Sequence, residues 1–137
     1  MNKTLRNILA VIAGLLIGGL LNNGIIMISG SIIPPPEGTD NTTMEGLKAS
    51  MRLFEAKHFI FPFLAHSLGT LVGAFVAAFI AATHKFKLAM AVGFFFLIGG
   101  IIMVVLLPSP TWFSMLDIVG AYLPMAWLGG KFATRKI

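Results

Sequence analysis

Four long apolar stretches separated by short polar ones organise the chain. They cover residues 7–33, 59–83, 86–107 and 111–130. Each reaches the roughly 20 residues that a helix needs to cross a hydrocarbon core. Apart from Lys87 at the edge of the third, no charge interrupts the first three, and the fourth contains Asp117. The predicted fold is all-α: a four-helix transmembrane bundle forming a single membrane domain over residues 1–137. The one long polar stretch, residues 34–58, is read as a loop. It opens on Pro34-Pro35-Pro36, a stiff polyproline exit, followed by a turn over 38–41. Thr42-x-x-Glu45 then matches a capping box. Met44, Leu47, Met51 and Phe54 recur at helical spacing, with Glu45, Lys48, Arg52 and Glu55 off that stripe. The pattern predicts a short amphipathic helix that lies on the membrane surface or caps the bundle, as a plain connector or as a lid.

Small residues follow a second rhythm inside the apolar stretches. Ala65, Gly69, Gly73, Ala77 and Ala81 stand four apart in the second, and Ala10, Gly14 and Gly18 do the same in the first, ending at Asn22. Such stripes let membrane helices approach closely. They predict a tight seam between spans one and two through Gly14, Gly18, Gly69 and Gly73. The open alternative is that one stripe faces another subunit.

Composition sharpens the class. Hydrophobic residues make up 57% of the chain and charged ones 11%, against about 25% charged in soluble domains. Too few polar side chains exist to coat a soluble core, so the lipid bilayer is the expected solvent. The net charge of +5 is explained by position. Lys3, Arg6, Lys85, Lys87, Lys131, Arg135 and Lys136 all fall on one side of the predicted topology. The loop at 34–58 holds three basic residues against Glu37, Asp40, Glu45 and Glu55. Basic residues concentrate on the cytoplasmic face. A multi-pass inner-membrane protein with both termini cytoplasmic follows, and nucleic acid is not an expected partner. Lys3 and Arg6 ahead of an apolar run also suggest a cleaved leader, but the run is too long for one, and a retained anchor is expected.

Polar groups inside the spans carry the candidate chemistry. His66 and Asp117 each lie about six residues inside their spans from the loop side, roughly 9 Å deep at 1.5 Å per residue. They meet at one depth if spans two and four are neighbours. Thr70 lies one turn beyond His66, and Asn22 lies in the same half of span one. Asn22, His66, Thr70 and Asp117 are therefore read as one intramembrane polar cluster. Two roles stand open: a protonatable site or an interhelical hydrogen-bond clamp. Tyr122, further in, needs a partner for its hydroxyl. Pro124 removes a backbone bond in mid-span and predicts a kink.

No catalytic residue is singled out. Cysteine is absent, no histidine pair stands at helical spacing for haem or metal, and no phosphate-binding glycine loop occurs. No cofactor and no metal are expected. The segments Phe63-Leu64-Ala65-His66-Ser67-Leu68-Gly69-Thr70-Leu71-Val72-Gly73-Ala74, Leu107-Pro108-Ser109-Pro110-Thr111-Trp112-Phe113 and Tyr122-Leu123-Pro124-Met125-Ala126 carry a resemblance over nearly the whole chain. The chain resembles small, uncharacterised four-span integral membrane proteins of bacteria such as the Bacteroidota. The resemblance implies a bacterial inner-membrane setting and brings no activity with it. The leading functional expectation is a non-enzymatic accessory or scaffold subunit, with a membrane-protein partner or self-association. The alternative is a small proton- or cation-coupled transporter using Asp117 and His66. An enzyme acting on lipid, with the same two residues as acid and base, ranks third.

Overall fold

The first helix starts where Asn2 offers its side chain to the Thr4 backbone N–H at 2.8 Å. That N-cap satisfies one of the amides a helix start leaves free. The computed structural model describes residues 1–135, and Lys136 lies outside the described residues. Among the described residues six α-helices follow in order: α1 (Lys3–Ile32), α2 (Met44–Ser50), α3 (Ile60–Ile80), α4 (Lys85–Leu106), α5 (Thr111–Gly120) and α6 (Leu123–Thr134). Single 3₁₀ turns cover Met51–Leu53 and Ala56–Phe59. The chain is all-helical, with no strand among the described residues.

Among the described residues three helical stretches are long and apolar enough to cross a membrane: α1, the Ala56–Ile80 stretch that contains α3, and α4. The fourth expected span is not one helix over 111–130 but two, α5 and α6, separated by Ala121 and Tyr122. Pro124 is the second residue of α6. It has no N–H to give, and its ring would strike the carbonyl of Gly120 four residues back. The expected kink is thus a full break two residues upstream of the proline. Ends shift elsewhere as well. Helix α1 begins four residues before the expected start, and α3 stops at Ile80, not at residue 83.

Helix α3 is the centre, packed against α1 on one side and against α4 and α6 on the other. Its small-residue stripe meets that of α1 directly. A methyl group on Gly14 would strike the Gly73 carbonyl, and one on Gly18 would stand 2.5 Å from the Gly69 carbonyl. The reverse holds for Gly69 against Gly18, at 2.8 Å, and for Gly73 against Gly14, at 2.6 Å. Backbones in contact leave no room for any side chain but hydrogen. These stripes are spent inside the chain, on the α1–α3 seam. The central core is correspondingly small-residued: Ala74, Ala77, Ala78, Ala89 and Ala126 around Val92. Gly93 seats Ala126, and Gly129 seats the α3 backbone at Leu71.

The first residues of α1, the α3–α4 turn and the end of α6 come together at one end of the bundle, termed here the basic end. Asn7 accepts from the backbone N–H groups of Ala82 (2.9 Å) and Thr83 (3.2 Å) and donates to the Thr83 hydroxyl (2.8 Å). Arg6 donates to the Ile80 carbonyl (2.6 Å), and Lys85 to those of Ala78 and Phe79. Cations at a helix C-terminus satisfy its orphan carbonyls and its dipole. Residues that sequence reasoning treats as markers of orientation thus also tie off α3.

The opposite, loop end is closed by residues 33–59. Helix α2 is shorter than the stripe suggests. Its N-cap is Thr43, which accepts from Gly46 N–H at 2.9 Å, and not Thr42. Thr42 is drawn away because its own N–H and hydroxyl both donate to Asp40. Those two bonds, the hydroxyl first, hold the Asp40 carboxyl below the ordinary carboxylate range. Met51 is buried with Phe59, Leu107 and Phe113, and Leu47 and Phe54 pack against that cluster. The segment therefore caps the bundle.

Candidate functional site

His66 stands on α3, two turns in from the loop end, and Asp117 on the last turn of α5. His66 Nδ1–H donates to the Asp117 carboxylate, 2.8 Å from Oδ1 and 2.9 Å from Oδ2. Asp117 is 3% exposed. The Tyr122 hydroxyl also donates to Oδ2, at 3.2 Å, and its ring stacks on the imidazole with centroids 5.8 Å apart.

The helix break brings Tyr122 to this position. Residues five apart on a continuous helix point about 140° away from each other. Helix α5 ends on the Ala121 N–H to Asp117 carbonyl bond (2.9 Å), and Tyr122 adopts φ −112°, ψ −78° before α6 begins. That turn folds the phenol back over the carboxylate. Gly100 makes the space, since a methyl there would stand 2.5 Å from the Tyr122 hydroxyl. Sequence reasoning left Tyr122 as a phenol in need of a partner; its partner is Asp117.

The other two cluster residues stand apart from the pair. Thr70 is buried one turn along α3, and Asn22 packs its Cβ against Gly69 across the α1–α3 seam. Among the described residues, neither hydrogen-bonds to His66 or Asp117. Ser67 is the other buried polar side chain near the pair, with its hydroxyl unpartnered among the described residues. No sequence signal separates it from an ordinary helical serine.

The pair forms the floor of a cavity of about 570 Å³. Ile26, Met27 and Gly30 of α1 form one wall, and Gly100, Met103 and Val104 of α4 the other. Leu47, Met51, Phe54 and Phe59 form the roof. Phe59 is held by Phe113, with ring centroids 4.5 Å apart, and by Trp112 at 5.7 Å. His58 lines the rim, and its Nδ1 is occupied by the Glu55 N–H at 2.8 Å.

Chemically the pair is a carboxylate–imidazole dyad. Asp117 fixes the hydrogen on Nδ1, so the neutral ring offers a lone pair at Nε2, and the protonated ring offers an N–H there. The imidazole is 29% exposed, lines the cavity, and has no Nε2 partner among the described residues. A purely structural clamp needs only the Nδ1 side. No group of three or more His, Cys, Asp or Glu capable of holding a metal occurs among the described residues. No family model matches the chain, and searches of curated proteins and of solved structures return no match.

Proposed function

We propose that this chain is a four-span integral membrane protein of a bacterial inner membrane and works as a small proton-coupled carrier. Helices α1, α3 and α4 make three crossings, and the broken α5–α6 segment makes the fourth. Both termini and the basic end face the cytoplasm, following the distribution of Lys and Arg. One observation carries the reading: a buried carboxylate–imidazole dyad presents a free nitrogen to a cavity lying beneath the cap at the loop end. Intramembrane ionisable residues that line a cavity mark proton and substrate paths. The discontinuous helix beside the dyad adds support, because transporters place their sites at such breaks. The titratable groups facing His66 are Asp117 and Tyr122, with His58 at the rim.

An accessory subunit would need only the clamp. One of its sequence supports, the small-residue stripes, is consumed by the α1–α3 seam. Proteoliposomes holding a trapped pH-sensitive dye decide between the two readings. Under an imposed pH gradient the carrier admits protons faster than empty vesicles, and Asp117→Asn returns the rate to the empty-vesicle level. The near-isosteric amide leaves the fold within about 1.7 kcal/mol, the upper range for a membrane hydrogen bond. Equal proton entry in both forms, with stoichiometric co-purification of other subunits in mild detergent, would favour the accessory role.

A further inference from the structure

We infer that the cavity binds an uncharged amphiphile, a molecule with an apolar body and a hydroxyl head, which enters sideways from the lipid between α1 and α4. The inference rests on the site read above and adds its ligand class and its entry route.

The head-group class follows from charge. Among the described residues, the titratable side chains lining the cavity are His58, His66, Asp117 and Tyr122, with no Lys, Arg or Glu. Both Asp117 oxygens are taken, by His66 Nδ1 and the Tyr122 hydroxyl, and the side chain is buried, while His58 is held through Nδ1 by the Glu55 N–H, so the lining turns no free carboxylate, Lys or Arg toward a charged head. A charged head would be desolvated with nothing to pair it, which is strongly unfavourable. A phosphate, an ammonium or a bare cation is excluded on that ground. A hydroxyl suits the floor in both states of the dyad. It donates to Nε2 of the neutral ring and accepts from Nε2–H of the protonated one. A carbonyl could meet only the second. The walls and roof, built from Ile26, Met51, Phe54, Met103 and Phe113, suit an apolar body. At about 570 Å³ the volume lies in the range of small-molecule pockets, roughly 300–1,000 Å³.

The route follows from where α1 and α4 touch. Toward the basic end they meet at Gly14 against Val92 and at Gly18 against Phe96. Toward the loop end they part, and the cavity lies between them. Met27 on the rim of this slot is 81% exposed. Met103 faces it from α4, so unbranched, flexible side chains line both edges. A floor roughly 9 Å deep suits a molecule that already resides in the bilayer.

The test uses the full chain in lipid nanodiscs and a dodecan-1-ol carrying a mid-chain diazirine. Photolabelling is mapped by peptide mass spectrometry. Label is expected on the slot edges, at Met27 or Met103, and unlabelled dodecan-1-ol displaces it. Dodecyl sulfonate and dodecyltrimethylammonium, of equal chain length, displace it at least tenfold less well. His66→Phe lowers the labelling about tenfold. Gly30→Trp, on the α1 wall of the cavity where a Cβ meets nothing within 4 Å, lowers it as well. Displacement by the charged competitors as good as by the alcohol overturns the head-group class. Label spread evenly over all exposed helix faces, and unmoved by both variants, overturns the site itself. Either result leaves the carrier reading standing if proton entry still depends on Asp117. Loss of that dependence, with alcohol labelling intact, removes the carrier and keeps the ligand.

Discussion

From mid-bundle toward the basic end the helices touch through their backbones, whereas at the loop end they part around a cavity. Gly14 and Gly18 interlock with Gly73 and Gly69, and alanines fill the space beside them. There the polar groups, Asn7, Arg6 and Lys85, are all consumed in tying off the end of α3. Toward the loop end, methionine and phenylalanine replace alanine, α5 breaks from α6, and an imidazole nitrogen is left free. Close approach leaves no volume for chemistry, and separation creates it. Rigidity at one end holds the helices from which the other end opens.

The comparison breaks most sharply if the glycine seam is not the rigid part. Gly18→Leu should lower stability by about 3 kcal/mol, the upper range for an overpacked core. Gly19→Leu, one residue on, should change almost nothing, because nothing lies within 4 Å of its Cβ position. Thermal melts in detergent read both, and equal losses would remove the seam from the account.

A smaller pair of effects contrasts the polar groups of the two ends. Asn7→Ala leaves two backbone amides and a hydroxyl unserved and should cost about 1–2 kcal/mol. Tyr122→Phe removes a single 3.2 Å bond to a carboxylate still held by His66 and should cost about 0.6 kcal/mol, the membrane average. Urea or heat titration of the two variants gives the order, and a reversed order would make the loop-end dyad the structural clamp.

The smallest effect lies in the cap. Thr42 holds Asp40 ionised below the ordinary carboxylate range. A group with a lowered native pKa lends stability that is complete above its unfolded value, near 3.9. That stability is lost only as pH falls through the lower native value. This contribution should therefore be constant between pH 5 and 8. In carboxyl-carbon NMR, Asp40 should titrate at lower pH in the wild type than in Thr42→Val. Coincident midpoints would detach Asp40 from the ordering of the cap.

Much was legible because apolar content and small-residue spacing are local properties. A run of apolar residues satisfies its backbone internally as a helix wherever it sits, so the all-helical character and the approximate limits of α1, α3 and α4 follow from the chain alone. The stripe Ala65, Gly69, Gly73, Ala77 lies on one face of any helix, so the seam with α1 was also readable. Local competition was harder to read. Thr42 and Thr43 both make good N-caps, and the choice fell to Thr43 because Asp40 captured Thr42. Pro124 announced a disturbance, but not that two residues would leave the helix and turn Tyr122 back onto Asp117.

Sequence by itself determined the long apolar helices of this chain and its closest seam, since each depends on neighbours within one or two turns. Only the tertiary structure decided that His66 on α3 meets Asp117 51 residues away, that Asn22 and Thr70 stand outside that contact, and that a cavity lies above it. Those outcomes depend on which helix faces oppose one another and how far apart they stand. Distance between helices is a sum over every side chain in the interface, and no single residue states it.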